Sequence, residues 1–178
     1  MSYFVNFLGG RRQAPNGGLF VQTASVTVAN TTTETALTST GKGSLVLPAD
    51  FFVIGRGIRV RVMGVHSSSG NPTVTIKFKL GSTVIATATG TGGNGSNDNF
   101  NFYGELTCRT TGGSGTVFPQ FLWQELHSNG LVAGSKSTTT VTINTTASQT
   151  MSVTFQWGTA SASNTITATN IVIEAINP

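Results

Sequence analysis

The chain predicts an all-β fold: an antiparallel β-sandwich of jelly-roll type, preceded by a short extended N-terminal arm. Three observations carry this. Apolar and polar residues alternate with a period of two through most of the chain, which is the pattern of strands with one dry and one wet face. Clusters of Gly, Ser and Asn interrupt that alternation at nearly regular spacing, as turns between short strands do. No stretch shows a sustained helical period; FPQFLWQELH comes nearest, and it contains Pro119. Many short strands with such turns form sandwiches or barrels.

Residues 1–21 differ from the rest and are read as the arm, with the domain proper at 22–178. Tyr3, Phe4, Val5, Phe7 and Leu8 form an aromatic-rich patch, followed by Gly9-Gly10, Arg11-Arg12 and a Pro-Asn-Gly-Gly turn. A segment this short cannot build its own core, so its rings must be buried against its own domain or against another chain. Strands are then expected in TASVTVAN and GSLVLP. GIRVRVMGV sets Ile58, Val60 and Val62 against Arg59, Arg61 and Met63, and NPTVTIKFKLG sets Val74, Ile76, Phe78 and Leu80 against Thr73, Thr75, Lys77 and Lys79. STVIATATG follows, then NFNFYGELTCR with Phe100, Phe102, Leu106 and Cys108 in one phase. TVFPQFLWQEL is apolar on both faces, through Phe121 and Trp123 on one and Leu122 and Leu126 on the other, and predicts deep burial or a subunit contact. After TTTVTIN comes MSVTFQW, whose Met151, Val153, Phe155 and Trp157 share the core phase. In TITATNIVIEAI the apolar phase shifts between Ile166, Ala168 and Ile171, Ile173, which predicts a bulge or a bend where the strand passes between sheets. Ser, Thr and Asn at 159–170 are expected to satisfy one another and the backbone in a tight corner.

At 178 residues the chain is one ordinary domain, able to bury a core without metal or disulfide support. Charged residues make up 9% of it, against about 25% in a typical soluble protein, so hydroxyl and amide groups must cover the surface. The net charge of +4 rests on ten Lys and Arg spread along the chain, too dilute for a nucleic-acid groove. Alternating Arg59, Arg61 and Lys77, Lys79 leave two readings. They form a mild positive stripe on one sheet face that steers an anionic partner, or they are solvated outward positions that keep edges from pairing; the second is preferred. The N-terminus shows no secretory-signal pattern. The longest apolar run, LVLPADFFVIG, is broken by Pro48 and Asp50 and falls short of the roughly 18 residues a spanning helix needs, so no membrane is expected.

Chemistry finds little to work with. GTGGNG at 90–95 fits a dinucleotide fingerprint in letters but leads into the strand SNDNFNF rather than a helix, so it is read as a turn. Asp98 alone supplies too little charge for calcium, and two histidines with one cysteine do not make a zinc site. Cys108 falls in an apolar phase and is read as a buried small hydrophobe. His66 and His127 open the turns SSSGNP and HSNG and are read as solvated. Glu105 and Glu125 are placed where they meet across strands, the only arrangement resembling a catalytic carboxylate pair. No catalytic, metal or cofactor residue is assigned.

The segments TTTETALTSTGKGSLVLPADFFVIGRGIRVRVMGV, NPTVTIKFKLGSTVIATATG, NFNFYGELTCRTTGGSGTV and SQTMSVTFQWGTASASNTITATNIVIE together resemble the jelly-roll domains of tailed-bacteriophage virion proteins, among them capsid decoration proteins, head fibres and tail-fibre tips. The resemblance spans about residues 22–175. It implies a homotrimer, a place on the outer capsid surface and the major capsid protein of the head as partner, with no direct nucleic acid. On this reading the chain is a decoration (cement) protein bridging capsid subunits, and Tyr3, Phe4, Phe7, Leu8, Arg11 and Arg12 are the expected partner-binding residues. The alternative is the receptor-binding tip of a tail fibre or spike, with carbohydrate at Tyr103, Trp123, His127 or Asn129. A glycan-active enzyme built on Glu105 and Glu125 is the third and weakest expectation.

Overall fold

Alternation commits each strand to one buried face, and the chain meets that demand by folding two antiparallel sheets against each other. The computed structural model describes residues 17–127, 130–133 and 139–177, with the backbone alone for His127 and 130–133. The strands in order are β1 (Gly18–Gln22), β2 (Val26–Ala29), β3 (Thr35–Ala36), β4 (Gly41–Gly43), β5 (Val46–Leu47), β6 (Gly57–Ser68) and β7 (Thr73–Leu80). They continue as β8 (Thr83–Thr91), β9 (Gly95–Thr110), β10 (Gly115–His127), β11 (Gly130–Ala133), β12 (Val141–Ile143), β13 (Gln149–Trp157) and β14 (Thr165–Ile176). The larger sheet runs β11-β10-β9-β6-β14-β1-β4, with β12 also on β10 and β2 also on β14. The smaller sheet runs β3-β13-β7-β8, with β5 also on β13. The expected antiparallel β-sandwich is the observed architecture. The arm residues Tyr3, Phe4, Phe7, Leu8, Arg11 and Arg12 lie outside the described residues, and Gly18–Gln22 at the expected boundary already forms β1, with Phe20 in the core.

The core is the meeting of the two dry faces. Val60, Val62, Phe102 and Leu106 from the larger sheet and Ile76, Phe78, Val153 and Phe155 from the smaller are all essentially inaccessible. An aromatic seam joins the layers: Phe121 stacks between Phe78 at 5.6 Å and Phe102 at 5.3 Å, while Trp123 stacks on Phe100 at 5.0 Å. Phe155 meets Trp157 edge to face at 4.9 Å. Such pairs contribute about 0.5–1.5 kcal/mol each beyond the area they bury. The phase shift in β14 is a bulge between Ala168 and Asn170, and the Thr169 hydroxyl there donates to the Met63 carbonyl at 3.1 Å. The strand does not change sheets: β6 pairs with it on both sides of the bulge.

Polar corners close the ends as expected. Asn164, buried, donates from Nδ2 to the Thr159 carbonyl and accepts from the Ser69 amide, while its backbone carbonyl accepts from the Asn30 amide. One residue, through its side chain and its backbone carbonyl, thereby ties three loops without a charge. The turn read in GTGGNG is the crossing from β8 in the smaller sheet to β9 in the larger.

Candidate functional site

Register determines what each outer face carries. On the larger sheet Arg59 faces Glu105 and Glu174, Arg61 faces Tyr103 and Val172, Met63 faces Asn101, and Val65 faces Asn99. Across β9, Glu105 faces Gln120, Tyr103 faces Leu122, Asn101 faces Gln124 and Asn99 faces Leu126. Charge is confined to one end, where Arg59 Nε donates to Glu105 Oε1 at 2.7 Å and Nη1 lies 3.8 Å from Glu174. The Glu105 carboxylate raises the Arg59 pKa above its usual range. Beyond that end the surface is amide, thioether, aliphatic and phenol. Tyr103 is 40% exposed and Leu126 56%. A shallow concavity of about 400 Å³ opens here, lined by Met63, Val65, Asn99, Asn101, Gln124 and Leu126 among others. Asn101 Oδ1 is buried with no hydrogen-bond partner among the described residues. TVFPQFLWQEL is thus dry on one face, through Phe121 and Trp123, and partly solvent-facing on the other, through Leu122 and Leu126.

The opposite outer face carries a second charge cluster. Glu34 accepts from Lys77 Nζ at 2.5 Å, Lys79 Nζ at 3.0 Å and Thr154 Oγ1 at 2.9 Å. The Lys77 hydrogen bond, aided by those from Lys79 and Thr154 and opposed by desolvation, lowers the Glu34 pKa from 4.5 to about 2. The single face expected to hold Arg59, Arg61, Lys77 and Lys79 does not exist. The two pairs project from β6 and β7, strands of different sheets, and so leave the sandwich on opposite sides. Arg59, Lys77 and Lys79 each meet a carboxylate there.

A third polar group lies between the sheets. His66 is buried, not solvated, because β6 runs on to Ser68 and His66 continues the inward phase of Val60 and Val62. Its ring stacks on Trp157 at 5.9 Å, and Nε2 lies 3.2 Å from Ser68 Oγ and 3.9 Å from Glu125 Oε1. The Ser68 hydroxyl donates to the Gly93 carbonyl. Serine, histidine and carboxylate are together here, yet the geometry is not that of a hydrolytic triad. A triad places nucleophile and carboxylate on different ring nitrogens, whereas both here approach Nε2. His66 and Glu125 also have side chains without solvent access.

Glu105 and Glu125 do not meet. Glu105 pairs with Gln120 on the outer face, while Glu125 pairs with Phe100 and points inward. Trp123, an expected sugar platform, is 2% exposed and belongs to the core, as does Trp157. Tyr103 does reach the surface; Asn129 and the His127 side chain lie outside the described residues. Cys108 is buried, and desolvation raises its pKa. Among the described residues no three His, Cys, Asp or Glu side chains form a metal-binding group, and no helix is long and apolar enough to cross a membrane.

No protein-family model matches this chain, and no curated protein does. Among solved structures, that of the alginate lyase from Klebsiella pneumoniae is similar at 8% identity and a TM-score of 0.29, over 70% of this chain and 61% of that one. A likeness at this level carries no argument about activity.

Proposed function

We propose that the chain is a structural protein of a bacteriophage particle, a jelly-roll decoration protein that works as a homotrimer by burying surface against other protein chains. The observation that carries this reading is the outer face of the larger sheet. Its four long strands, β10, β9, β6 and β14, of 12 to 16 residues and about 4.8 Å apart, present roughly 800 Å², the area each partner contributes to a standard stable interface. Its few charges, Arg59, Arg61 and Arg109 against Glu105 and Glu174, gather at one end and largely offset one another, so identical copies can meet on the rest of it with little like-charge repulsion. It holds the orphan acceptor Asn101 Oδ1 and the exposed Tyr103 on β9, with the exposed Leu126 toward the end of β10. The resemblance to phage virion domains supplies the particle, the head as location and the capsid protein as partner. The arm with Tyr3, Phe4, Phe7, Leu8, Arg11 and Arg12 is the proposed capsid contact.

Sedimentation of the purified chain tests the assembly step. The wild type is expected to sediment as a trimer, and Leu126→Glu, which sets an ionised group into the buried face, as a monomer with unchanged circular dichroism. A variant that remains trimeric removes this face from the interface. Electron microscopy of purified virions tests the location: many copies on the head support decoration, and a few at the tail tip move the assignment to receptor binding. The concavity favours that second reading in one respect, because Asn99, Asn101 and Gln124 offer amides that match sugar hydroxyls beside the Tyr103 ring.

A further inference from the structure

The most exposed large apolar side chain among the described residues is Ile54, at 71%, beside Val53 at 45%. Single exposed valines such as Val84 on β8 are ordinary. The Val53–Ile54 pair differs in how it is held. Phe51 and Phe52 anchor the turn from below, both in the core, with rings edge to face at 5.1 Å. The Arg56 amide closes the turn onto the Val53 carbonyl at 3.0 Å, and Gly55 adopts φ 88°, where a side chain would be strained. The Gly55 amide donates to Cys108, the Cys108 amide donates to Arg56, and Asn177 Nδ2 donates to the Gly55 carbonyl. Arg56 Nη1 donates to the Phe51 carbonyl at 2.7 Å with its guanidinium over the Phe51 ring. Other turns of this chain, SSSGN, GGNGS, TGGSG and TASASN, are built from small polar residues. This one holds two β-branched aliphatic side chains in water on a backbone already fixed.

We infer that the Val53–Ile54 turn is a preformed anchor that inserts into an apolar socket on the protein shell to which this end of the molecule attaches. The inference rests on the virion reading above and names the contact through which it acts. Because the turn is ordered before binding, docking it forfeits little conformational freedom. Its position agrees with attachment. The Gly17 carbonyl accepts from the Ala175 amide, two residues before the Asn177 that bonds Gly55. The segment carrying Tyr3, Phe4, Phe7 and Leu8 therefore joins the domain at the same end as Ile54. A protein socket fits better than a lipid surface: the tip carries no aromatic ring, and the adjoining Arg56 is turned onto Phe51 rather than outward.

The test titrates the full-length chain onto shells assembled from the major capsid protein of the virus that encodes it, with wild type, Ile54→Asp, Ile54→Leu and, as control, Val84→Asp. The expected result is saturable binding by the wild type and by Val84→Asp. Ile54→Leu should stay within about threefold and Ile54→Asp should lose at least about thirtyfold, the order expected when an ionised group replaces a buried aliphatic one. Ile54 is too exposed for the variant to unfold the domain, and its melting curve checks this. If Ile54→Asp binds as tightly as wild type, the anchor is overturned while the virion reading stands. If the wild type itself does not bind, the head location fails and the socket with it. Flotation with phosphatidylcholine–phosphatidylglycerol vesicles decides the remaining alternative: binding that Ile54→Asp abolishes would overturn the protein socket in favour of a lipid surface.

Discussion

Replacing Glu34 by Gln removes the carboxylate that holds two lysines of β7 and Thr154 of β13 to the segment leading into β3. The fall in pKa from 4.5 to about 2, at about 1.4 kcal/mol per pH unit, sets a ceiling near 3 kcal/mol for what the ionised cluster contributes. The side chains of Glu34, Lys77 and Lys79 are each about a quarter exposed, at 27%, 22% and 24%. Solvent screening therefore reduces the expected value to about 1–2 kcal/mol, or about 4 °C in melting temperature for a chain of this size. Because the folded pKa lies below the unfolded one, the stabilisation is complete above about pH 4.5 and is lost as the pH falls through about 2. Thermal unfolding followed by circular dichroism should show the Glu34→Gln deficit in full at pH 7 and mostly gone by pH 2.5. Glu105→Gln, which breaks a half-exposed pair on the other face, should cost less than about 0.5 kcal/mol. A Glu34→Gln protein as stable as wild type at pH 7, or a deficit of equal size at both pH values, would refute the assignment of the cluster as a clasp for β3.

Gly64→Ala should destabilise by about 3 kcal/mol or more, read as the denaturant midpoint. A Cβ there would lie 1.9 Å from the Thr167 carbonyl oxygen and 2.8 Å from the Phe100 ring, and the backbone contact has no room to give. Cys108 should remain unreactive toward a thiol reagent in the native state at pH 8 and react fully after unfolding, because burial both blocks access and raises its pKa. Rapid native labelling would contradict its place in the core.

Much of the fold was legible because the core demands parity. The even phase of β7 and the odd phase of β13 give Ile76, Phe78, Val153 and Phe155 directly, and the break of phase in TITATNIVIEAI marks the bulge to within two residues. The same rule reaches further than its first application. Counting on from Ile58 through Val60, Val62 and Gly64 arrives at His66 inside the sheet, and from Phe121 through Trp123 at Glu125. The polar run SSSGNP obscured the first, and Gln124-Glu125 beside HSNG read as the polar end of a strand rather than a buried acid. Register was not legible. In an antiparallel hairpin two residues share a face only if the turn aligns them, and the turn after Thr110 places Glu105 opposite Gln120. The short edge strands β3 and β4, TA and GKG, carry no alternation to read, and tertiary pairing alone defines them. Within LVLPADFFVIG, hydrophobicity alone does not divide Phe51 and Phe52, which go inward, from Val53 and Ile54, which do not.

The placement of the few charges bears on how such a surface can act. On each outer face opposite charges alternate, Glu34 between Lys77 and Lys79 on one and Arg59 between Glu105 and Glu174 on the other. Opposite charges this close cancel within a few ångströms, so little field survives beyond a Debye length of about 10 Å, and the modest net charge steers little. A molecule with so weak a far field must take its affinity from buried area and shape, which act only at contact and lose little in salt. The two surfaces best suited to contact are built differently. The outer face of the larger sheet is broad, amide-rich and sparsely charged, as the proposed contact with a second copy requires; the Val53–Ile54 turn is narrow, rigid and aliphatic, as the proposed socket requires. Their separation, one on the flank of the sandwich and one at its end, lets a chain occupy both at once.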